Sequence, residues 1–185
     1  MSRRFDKQGS VRGDGGKRFM GFGYRVAAAW VAATIAAAAA HAEPGVLRVG
    51  VITDMSGQYA DGNGPGSVIA AQMAAEEIGN VVAGRRIEII SADHQNKPDI
   101  ATAIVREWID NKHVDVVAEG VNSAVALAIQ NLTRERKKLF LISGSGSSDL
   151  TGAQCSPTSV QWTYDTYASS NATAKAVVRR GGNSW

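Results

Sequence analysis

The chain has little of the chemistry on which most enzymes and metalloproteins depend. It contains one cysteine, Cys155, so no disulfide can form within it. Histidine is also scarce, and only His94 and His113 lie beyond the first 42 residues. Neither histidine stands near a cysteine or a pair of carboxylates at the spacing of a metal site. We therefore predict that the chain holds no metal.

Motifs for nucleotide binding and for nucleophilic catalysis are missing as well. Residues 61–66 (DGNGPG) place glycines at alternate positions rather than at G-x-G-x-x-G spacing, and Pro65 removes an amide that a pyrophosphate needs. There is no Walker sequence, and residues 144–146 (GSG) do not form a G-x-S-x-G nucleophile elbow. Because no nucleophile is paired with a base, we predict a protein that is not an enzyme and uses no cofactor.

The N-terminal part of the chain has the pattern of an export signal. Residues 26–40 form an apolar run of 15 that follows Arg25 and ends at the small residues 40–42 (AHA). A charged flank, a short apolar core and small residues at the end are typical of a secretory signal peptide. A membrane-spanning helix needs about 20 apolar residues. We predict that residues 1–42 are a signal peptide, cleaved after Ala42, and that the product is periplasmic. No cysteine lies near this position, so the sequence does not indicate a lipoprotein.

The first 19 residues are polar and basic, which leaves two explanations open. Met20 would begin an ordinary signal (residues 20–25, MGFGYR), so the true start could lie there. Alternatively, residues 2–7 (SRRFDK) resemble a twin-arginine export motif. This segment lacks the residue that normally separates the second arginine from the phenylalanine, which favours the start at Met20.

The basic character of the chain belongs to its leader. Residues 1–42 carry seven lysines and arginines and two acidic residues, which leaves 13 basic and 15 acidic residues in the rest. A basic patch with interleaved aromatic residues is therefore missing, and we predict no nucleic-acid partner. The one remaining basic cluster, residues 134–138 (RERKK), falls at a predicted helix end, where the helix dipole favours cations.

Residues 43–185 are long enough for one domain with its own core. Apolar and β-branched runs predict strands at 46–52, 86–91, 114–118, 139–142 and near 160–163. Between and after them, helical patterns cover 65–79, a segment opened by Pro98, 122–136 and 167–180. This alternation predicts an α/β fold: a doubly wound, mainly parallel sheet with helices on both faces. We expect Ile69, Met73 and Ala74 on the inner face of the first helix, and Val125, Ile129 and Leu132 on that of the third.

In such sheets a ligand lies beyond the carboxyl ends of the strands, where the strand order reverses. After the third strand, Asn122 or Ser123 can cap the following helix. The same groups can instead receive a ligand carboxylate, because a helix N-terminus favours anions. After the fourth strand, Gly146 and Ser147 offer backbone amides beside several hydroxyls, or else form a flexible turn. The residues alone leave both alternatives open.

Several short motifs follow the strands in a specific order. They are residues 54–57 (DMSG), 93–98 (DHQNKP), 122–124 (NSA), 142–144 (ISG), 149–152 (DLTG) and 162–165 (WTYD). Together they resemble the branched-chain amino acid (leucine/isoleucine/valine-type) periplasmic substrate-binding proteins of ABC transporters, over essentially all of residues 46–185. The resemblance implies a type I periplasmic-binding fold, in which two lobes close on the ligand and this chain supplies the N-terminal lobe.

The resemblance also implies a site. Ser123 and the segment Ser145, Gly146 and Ser147 would bind the ligand carboxylate, and Tyr59 of the first loop would add a side-chain contact. Ser147 stands where threonine is usual in the family, and Ser145 and Gly146 stand where two alanines are common. The implied partners are a small ligand (an amino acid or a small organic acid or amide) and an ABC permease in the inner membrane.

Members of this family continue for about as long again beyond the position of Trp185. We therefore expect a truncated form of the receptor that consists of the N-terminal lobe, residues 43–185. The alternative is the ligand-sensing lobe of a periplasmic sensor or regulator, which uses the same fold.

Overall fold

A computed structural model describes residues 45–183 of the protein. The predicted signal peptide and its cleavage site after Ala42 lie outside these residues. No helix within residues 45–183 is both long enough and apolar enough to cross a membrane.

Strands and helices alternate along the described chain. The strands are β1 (Val46–Thr53), β2 (Val81–Val82), β3 (Arg85–Asp93), β4 (Val116–Glu119), β5 (Leu139–Ile142) and β6 (Ser159–Gln161). The helices are α1 (Gly64–Glu77), α2 (Pro98–Asp110), α3 (Ser123–Glu135) and α4 (Thr166–Arg179), and a short 3-10 turn covers Ser148–Leu150. Proline stands in the first turn of both α1 and α2, where its missing N–H leaves no helical bond unmade.

The strands form one sheet in the order β2-β3-β1-β4-β5-β6. All neighbours are parallel except β2, which pairs antiparallel with β3. The chain first moves from β1 to β3 on one side and then crosses to β4 on the other, so the strand order reverses between β1 and β4. Right-handed crossovers therefore place α1 on one face of the sheet and α2 and α3 on the other. The predicted doubly wound α/β fold is confirmed.

The main core lies between the sheet and the helices α2 and α3. Its fully buried members include Ile52, Phe140 and Ile142 from the strands and Val105 and Trp108 from α2. Burial of each large side chain contributes about 1.5–3 kcal/mol. The predicted inner face of α3 is confirmed, since its members are at most 5% exposed: Val125, Ile129 and Leu132.

The predicted inner face of α1 is wrong. Ile69 and Met73 are 55% and 63% exposed, and Ala74 is exposed too. The covered side of α1 instead carries mainly small residues at helical spacing: Gly64, Val68, Ala71 and Ala75. Small side chains let the helix lie close to the sheet, so the larger apolar ones point outward. A groove of about 370 Å³ remains between α1 and the sheet, lined in part by Val51, Ala118 and Trp162.

The last helix is held at its start rather than along its length. The side chain of Asp165 caps α4 by accepting from the amide of Ala168 at 2.6 Å. No side chain of α4 is buried, although the helix spans the predicted residues. Its place in the molecule therefore rests on the segment that precedes it.

Candidate functional site

The carboxyl ends of the parallel strands bring four loops to one edge of the sheet. These are the loops after β1, β3, β4 and β5, with residues 54–63, 94–97, 120–122 and 143–147. The loops after β1 and β4 lie on the two sides of the position where the strand order reverses. This is the part of an open α/β sheet where ligands bind.

The loop after β4 has an unusual backbone. Glu119, Gly120 and Asn122 have φ angles of +85°, +70° and +76°. A residue other than glycine rarely adopts such an angle, at a cost of about 1–3 kcal/mol. At Gly120 a Cβ would also lie 2.6 Å from the ring of Phe140. The sequence thus places glycine where both the φ angle and the space require it.

Asn122 and Ser123 begin helix α3. The Oδ1 atom of Asn122 accepts from the amide of Ala124 at 2.8 Å, which confirms the capping interpretation. The Nδ2 atom of Asn122 donates to Oδ1 of Asn96 at 2.5 Å and so ties this loop to the one after β3. Ser123 is half-buried, and its hydroxyl makes no hydrogen bond to any group within residues 45–183. That hydroxyl is therefore available to a ligand.

The loop after β5 contains three predicted site residues, Ser145, Gly146 and Ser147, and each has different hydrogen-bond partners. Ser145 is buried, and its hydroxyl donates to the carbonyl of Gly120 at 2.6 Å, so it joins two loops rather than facing outward. Ser147 is half-buried, and its hydroxyl accepts from the amide of Asp149 at 3.3 Å. The carbonyl of Gly146 accepts from the amide of Thr166 at 2.7 Å. The loop is thus fastened from both sides.

Several backbone amides at this edge have no acceptor within residues 45–183, among them those of Ser123, Gly146 and Ser147. Two of these residues also carry hydroxyls, and the start of α3 adds the partial positive charge of a helix N-terminus. Such a set of donors can bind a carboxylate or another small anion.

Tyr59 lies in the loop after β1 and is half-buried. Its amide donates to the carboxylate of Asp54 at 3.2 Å, and the amide of Gly57 donates to the same carboxylate at 2.8 Å. Among the described residues no hydrogen bond joins Tyr59 to Ser123 or Ser147. The structure therefore places Tyr59 in a neighbouring loop without linking it directly to the free amides.

Glu119, which the sequence prediction missed, lies beneath these loops. Glu119 is only 2% exposed. One oxygen of its carboxylate accepts from Nδ2 of Asn63 at 2.7 Å, and the other accepts from the amide of Val121. Burial raises the pKa of Glu119, and these two hydrogen bonds oppose that rise. An acidic residue at the end of an otherwise apolar strand (residues 116–119, VVAE) was the signal that could have found it.

His94 is fully buried at the end of β3 and has one free ring nitrogen. Its Nδ1 atom accepts from the amide of Asn96 at 3.0 Å, as expected for a histidine that supports a loop. Its Nε2 atom has no partner among the residues that the structure describes. Burial lowers the pKa of His94, while the nearby charges of Asp54 and Asp93 oppose that change.

In the described part of the chain, histidine, cysteine and acidic side chains nowhere gather in groups of three or more that could hold a metal ion. A doubly wound lobe with free amides at the carboxyl ends of its strands is typical of proteins that bind small molecules. Residues 46–185 match the family described as "Periplasmic binding protein". The chain belongs to this family.

Solved structures support the assignment. A periplasmic binding protein from Burkholderia mallei is 44% identical, with a TM-score of 0.73 over 76% of this chain and 37% of its own. A branched-chain amino acid ABC transporter periplasmic ligand-binding protein from Burkholderia xenovorans LB400 is 38% identical, with a TM-score of 0.69 over 73% of this chain and 36% of its own.

A third structure is the solute-binding protein of an ABC transporter from Rhodopseudomonas palustris BisB5, in complex with 3,4-dihydroxybenzoic acid. It is 28% identical, with a TM-score of 0.66 over 74% of this chain and 37% of its own. No curated protein matched the chain. The chain thus spans little more than a third of the length of these solved relatives.

Proposed function

We propose that the chain is the N-terminal lobe of a periplasmic solute receptor of an ABC transporter and that it binds the carboxylate of a small ligand. The observation that carries this proposal is the set of free amides of Ser123, at the start of α3, and of Gly146 and Ser147, in the loop after β5. Two of these residues, Ser123 and Ser147, also carry side-chain hydroxyls. Oriented N–H groups and a helix N-terminus favour a carboxylate without any charged side chain.

The ligand class in this proposal is a branched-chain amino acid or a related small carboxylate. One relative is described as a branched-chain amino acid receptor, and another was solved with 3,4-dihydroxybenzoic acid. Amino acids and aromatic acids share only the carboxylate. Similarity to both relatives therefore supports recognition of the carboxylate by this lobe more strongly than recognition of the rest of the ligand.

The partners in this proposal are a second lobe and an ABC permease in the inner membrane. A single lobe leaves one side of the ligand in water, so the affinity of this lobe alone is low. Closure of two lobes requires contacts that exist only in the closed state. The amine of an amino-acid ligand would receive its contacts from the second lobe. Export by the predicted signal peptide places the receptor in the periplasm.

A titration followed by NMR tests the carboxylate site. The full chain, labelled with ¹⁵N, is titrated with leucine, with 3,4-dihydroxybenzoate and with leucinamide, which lacks the carboxylate. We expect the two carboxylates to shift the amide signals of Ser123, Gly146 and Ser147, and leucinamide to leave them in place. Equal shifts with leucinamide would contradict the proposal.

Substitution of the serine hydroxyl provides a matched comparison. Ser123→Ala removes the free hydroxyl, and we expect it to weaken binding of the carboxylates by about fivefold to tenfold, the value of one hydrogen bond of about 1–1.5 kcal/mol. Ser169→Ala removes an exposed hydroxyl in α4 and serves as the control. If both variants bind as the unchanged chain does, Ser123 is not part of the site.

A further inference from the structure

We propose that Glu119 is the positioning residue of the ligand site: its side chain holds the loops after β1, β4 and β5 in one arrangement. The inference rests on the proposed function of these loops, because it concerns how their amides are aimed. Three separate contacts carry it, one for each loop.

The first contact is within the loop after β4. The carboxylate of Glu119 turns back and accepts from the amide of Val121, two residues further along the chain. Val121 is only 1% exposed, so water does not compete for this amide. The bond closes a short ring around Gly120, whose φ angle is positive like that of Glu119. The direction in which the chain reaches Ser123 is set by this ring.

The second contact joins the loop after β1. The other carboxylate oxygen of Glu119 accepts from Nδ2 of Asn63 at 2.7 Å. The amide of Asn63 donates to the carbonyl of Tyr59, and its carbonyl accepts from the amide of Ser67, each at 2.9 Å. Asn63 thus connects the turn that contains Tyr59 with the first turn of α1. Through it, Glu119 fixes that turn against β4.

The third contact joins the loop after β5. A Cβ added to Gly144 would overlap the carboxylate of Glu119, so the backbone of Gly144 lies directly against that carboxylate. The amide of Ser143 also donates to the backbone carbonyl of Glu119, at 3.4 Å. The next residue, Ser145, bonds to the carbonyl of Gly120 at 2.6 Å. The loop that carries the free amides therefore rests on Glu119 and on the residue after it.

Glu119 does not bind the ligand in this arrangement. Both of its oxygens already accept hydrogen bonds from the protein, and a second carboxylate beside it would be repelled. Its burial also strengthens the bonds it makes, since hydrogen bonds in a low dielectric are stronger than in water. Glu119 therefore affects ligand binding only through the positions of the loops.

Amide hydrogen exchange measured by NMR on the full chain tests this role. Three variants are compared with the unchanged chain: Glu119→Gln, Glu119→Ala and Glu119→Gly. Glutamine can accept from Val121 and donate to Asn63 once the amide of Asn63 is turned over. We expect exchange at Gly120, Val121 and Ser143 to stay within threefold in Glu119→Gln. We expect it to be at least tenfold faster in the alanine and glycine variants.

The glycine variant separates the loss of the side-chain hydrogen bonds from backbone strain at the positive φ angle of residue 119. Glycine accepts the positive φ angle without strain but has no side chain, so fast exchange in Glu119→Gly assigns the effect to the lost hydrogen bonds. The core amides of Val105 and Ile129 report global unfolding. The inference is overturned if loop exchange is unchanged in the alanine and glycine variants. An equal rise at these core amides reports global unfolding, and the Asn63→Ala variant then decides.

A second variant keeps the inference testable if Glu119→Ala does not fold. Asn63→Ala removes one contact only, and we expect faster exchange at Ser67 with Gly120 and Val121 unchanged. Unchanged exchange at Ser67 overturns the link to the loop after β1. None of these measurements requires a ligand. A failure of carboxylate binding would therefore count against the proposed function alone, and the exchange data would still decide the role of Glu119.

Discussion

Gly144 is a residue at which a single added methyl group is predicted to disturb the site. An added Cβ would overlap the carboxylate of Glu119 and lie 3.0 Å from Nδ2 of Asn63. We expect Gly144→Ala to lower the free energy of unfolding by about 1–3 kcal/mol, because the carboxylate would have to move away from its hydrogen-bond donors, Asn63 and the amide of Val121. Urea unfolding followed by circular dichroism measures this change.

Gly62 provides the control for Gly144. Nothing lies within 4 Å of a Cβ added at Gly62, in the same group of loops. We expect Gly62→Ala to change the free energy of unfolding by less than about 0.5 kcal/mol. Equal effects of the two substitutions would show that the loops move apart easily, contrary to the arrangement described for Glu119.

His94 gives a prediction for the pH dependence of stability. Burial lowers the pKa of its imidazole in the folded chain below the ordinary value of 6.5. As the pH falls through that ordinary value, the unfolded chain takes up a proton that the folded chain does not. The free energy of unfolding should therefore fall as the pH is lowered from about 7.5 to 5.5.

We expect this pH dependence to be smaller in His94→Gln, measured by urea unfolding at both pH values. His113 is exposed, so His113→Gln serves as the control for the loss of a histidine at the surface. A slope in His94→Gln as steep as that of the unchanged chain would mean that His94 takes up its proton as easily in the folded chain as in the unfolded one.

At the residue scale, the sequence predicted what local chemistry determines. Asn122 was one of two candidate caps, Asn122 or Ser123, because a cap and its helix are adjacent in the chain, and the structure shows that Asn122 caps α3. The role of Glu119 could not be predicted, since its partner Asn63 is 56 residues away. The inward direction of the Ser145 hydroxyl likewise depends on Gly120, 25 residues earlier. Contacts across the sheet edge are fixed by the fold and leave no local pattern.

At the scale of elements, α1 allows the outward and inward residues to be compared. Ala75 is 5% exposed on the covered side, whereas Met73 is 63% exposed. We expect Ala75→Leu to destabilise the protein by about 1–3 kcal/mol through overpacking. Met73→Ala should change the free energy of unfolding by less than about 0.5 kcal/mol.

Thermal and urea unfolding of both α1 variants measure these changes. A larger loss for Met73→Ala than for Ala75→Leu would restore the predicted inner face of the helix. The error in that prediction has a physical origin. In a helix as rich in alanine as α1, apolar residues occur on every side, so periodicity does not identify the side that is covered.

The other elements show what periodicity can predict. Strands β1, β3 and β5 were found from their β-branched and apolar runs, and α3 from residues that recur on one face. Strand β2 was missed because two residues carry no alternation. It forms only because the turn at Ala83 and Gly84 folds it back on β3, with φ angles of +49° and +75°.

For the whole molecule, stability depends on the core on one face of the sheet. Trp108 is 2% exposed within it, and its ring leaves no room for a side chain at Gly50. We expect Trp108→Ala to cost about 3–5 kcal/mol, which is a large part of the 5–15 kcal/mol that stabilises a typical domain. Urea unfolding followed by circular dichroism measures the loss.

Trp162 is 56% exposed and provides the control. We expect Trp162→Ala to cost less than about 1 kcal/mol, since most of its surface is already in water. A loss for Trp162→Ala as large as that for Trp108→Ala would show that the face with α1 carries as much of the stability as the face with α2 and α3.

The fold as a whole was predictable because it follows from the order of its elements and from the handedness of crossovers. Two features of the molecule were not. One is the incomplete cover of the α1 face, and the other is that no side chain of α4 is buried. Both depend on what lies against these surfaces, and a helical pattern in sequence is the same whether or not a partner is present.

The hydrogen bond from the amide of Thr166 to the carbonyl of Gly146 connects α4 to the loop after β5. The helix has no buried side chain, yet its first residue holds the carbonyl of Gly146, and the Nε2 atom of Gln161 holds that of Ser145 at 2.7 Å. A force applied to the far end of α4 therefore acts first on the peptide groups of this loop. A displacement of α4 would therefore reach the proposed carboxylate site through hydrogen bonds to its backbone, without any contact between the helix and the ligand.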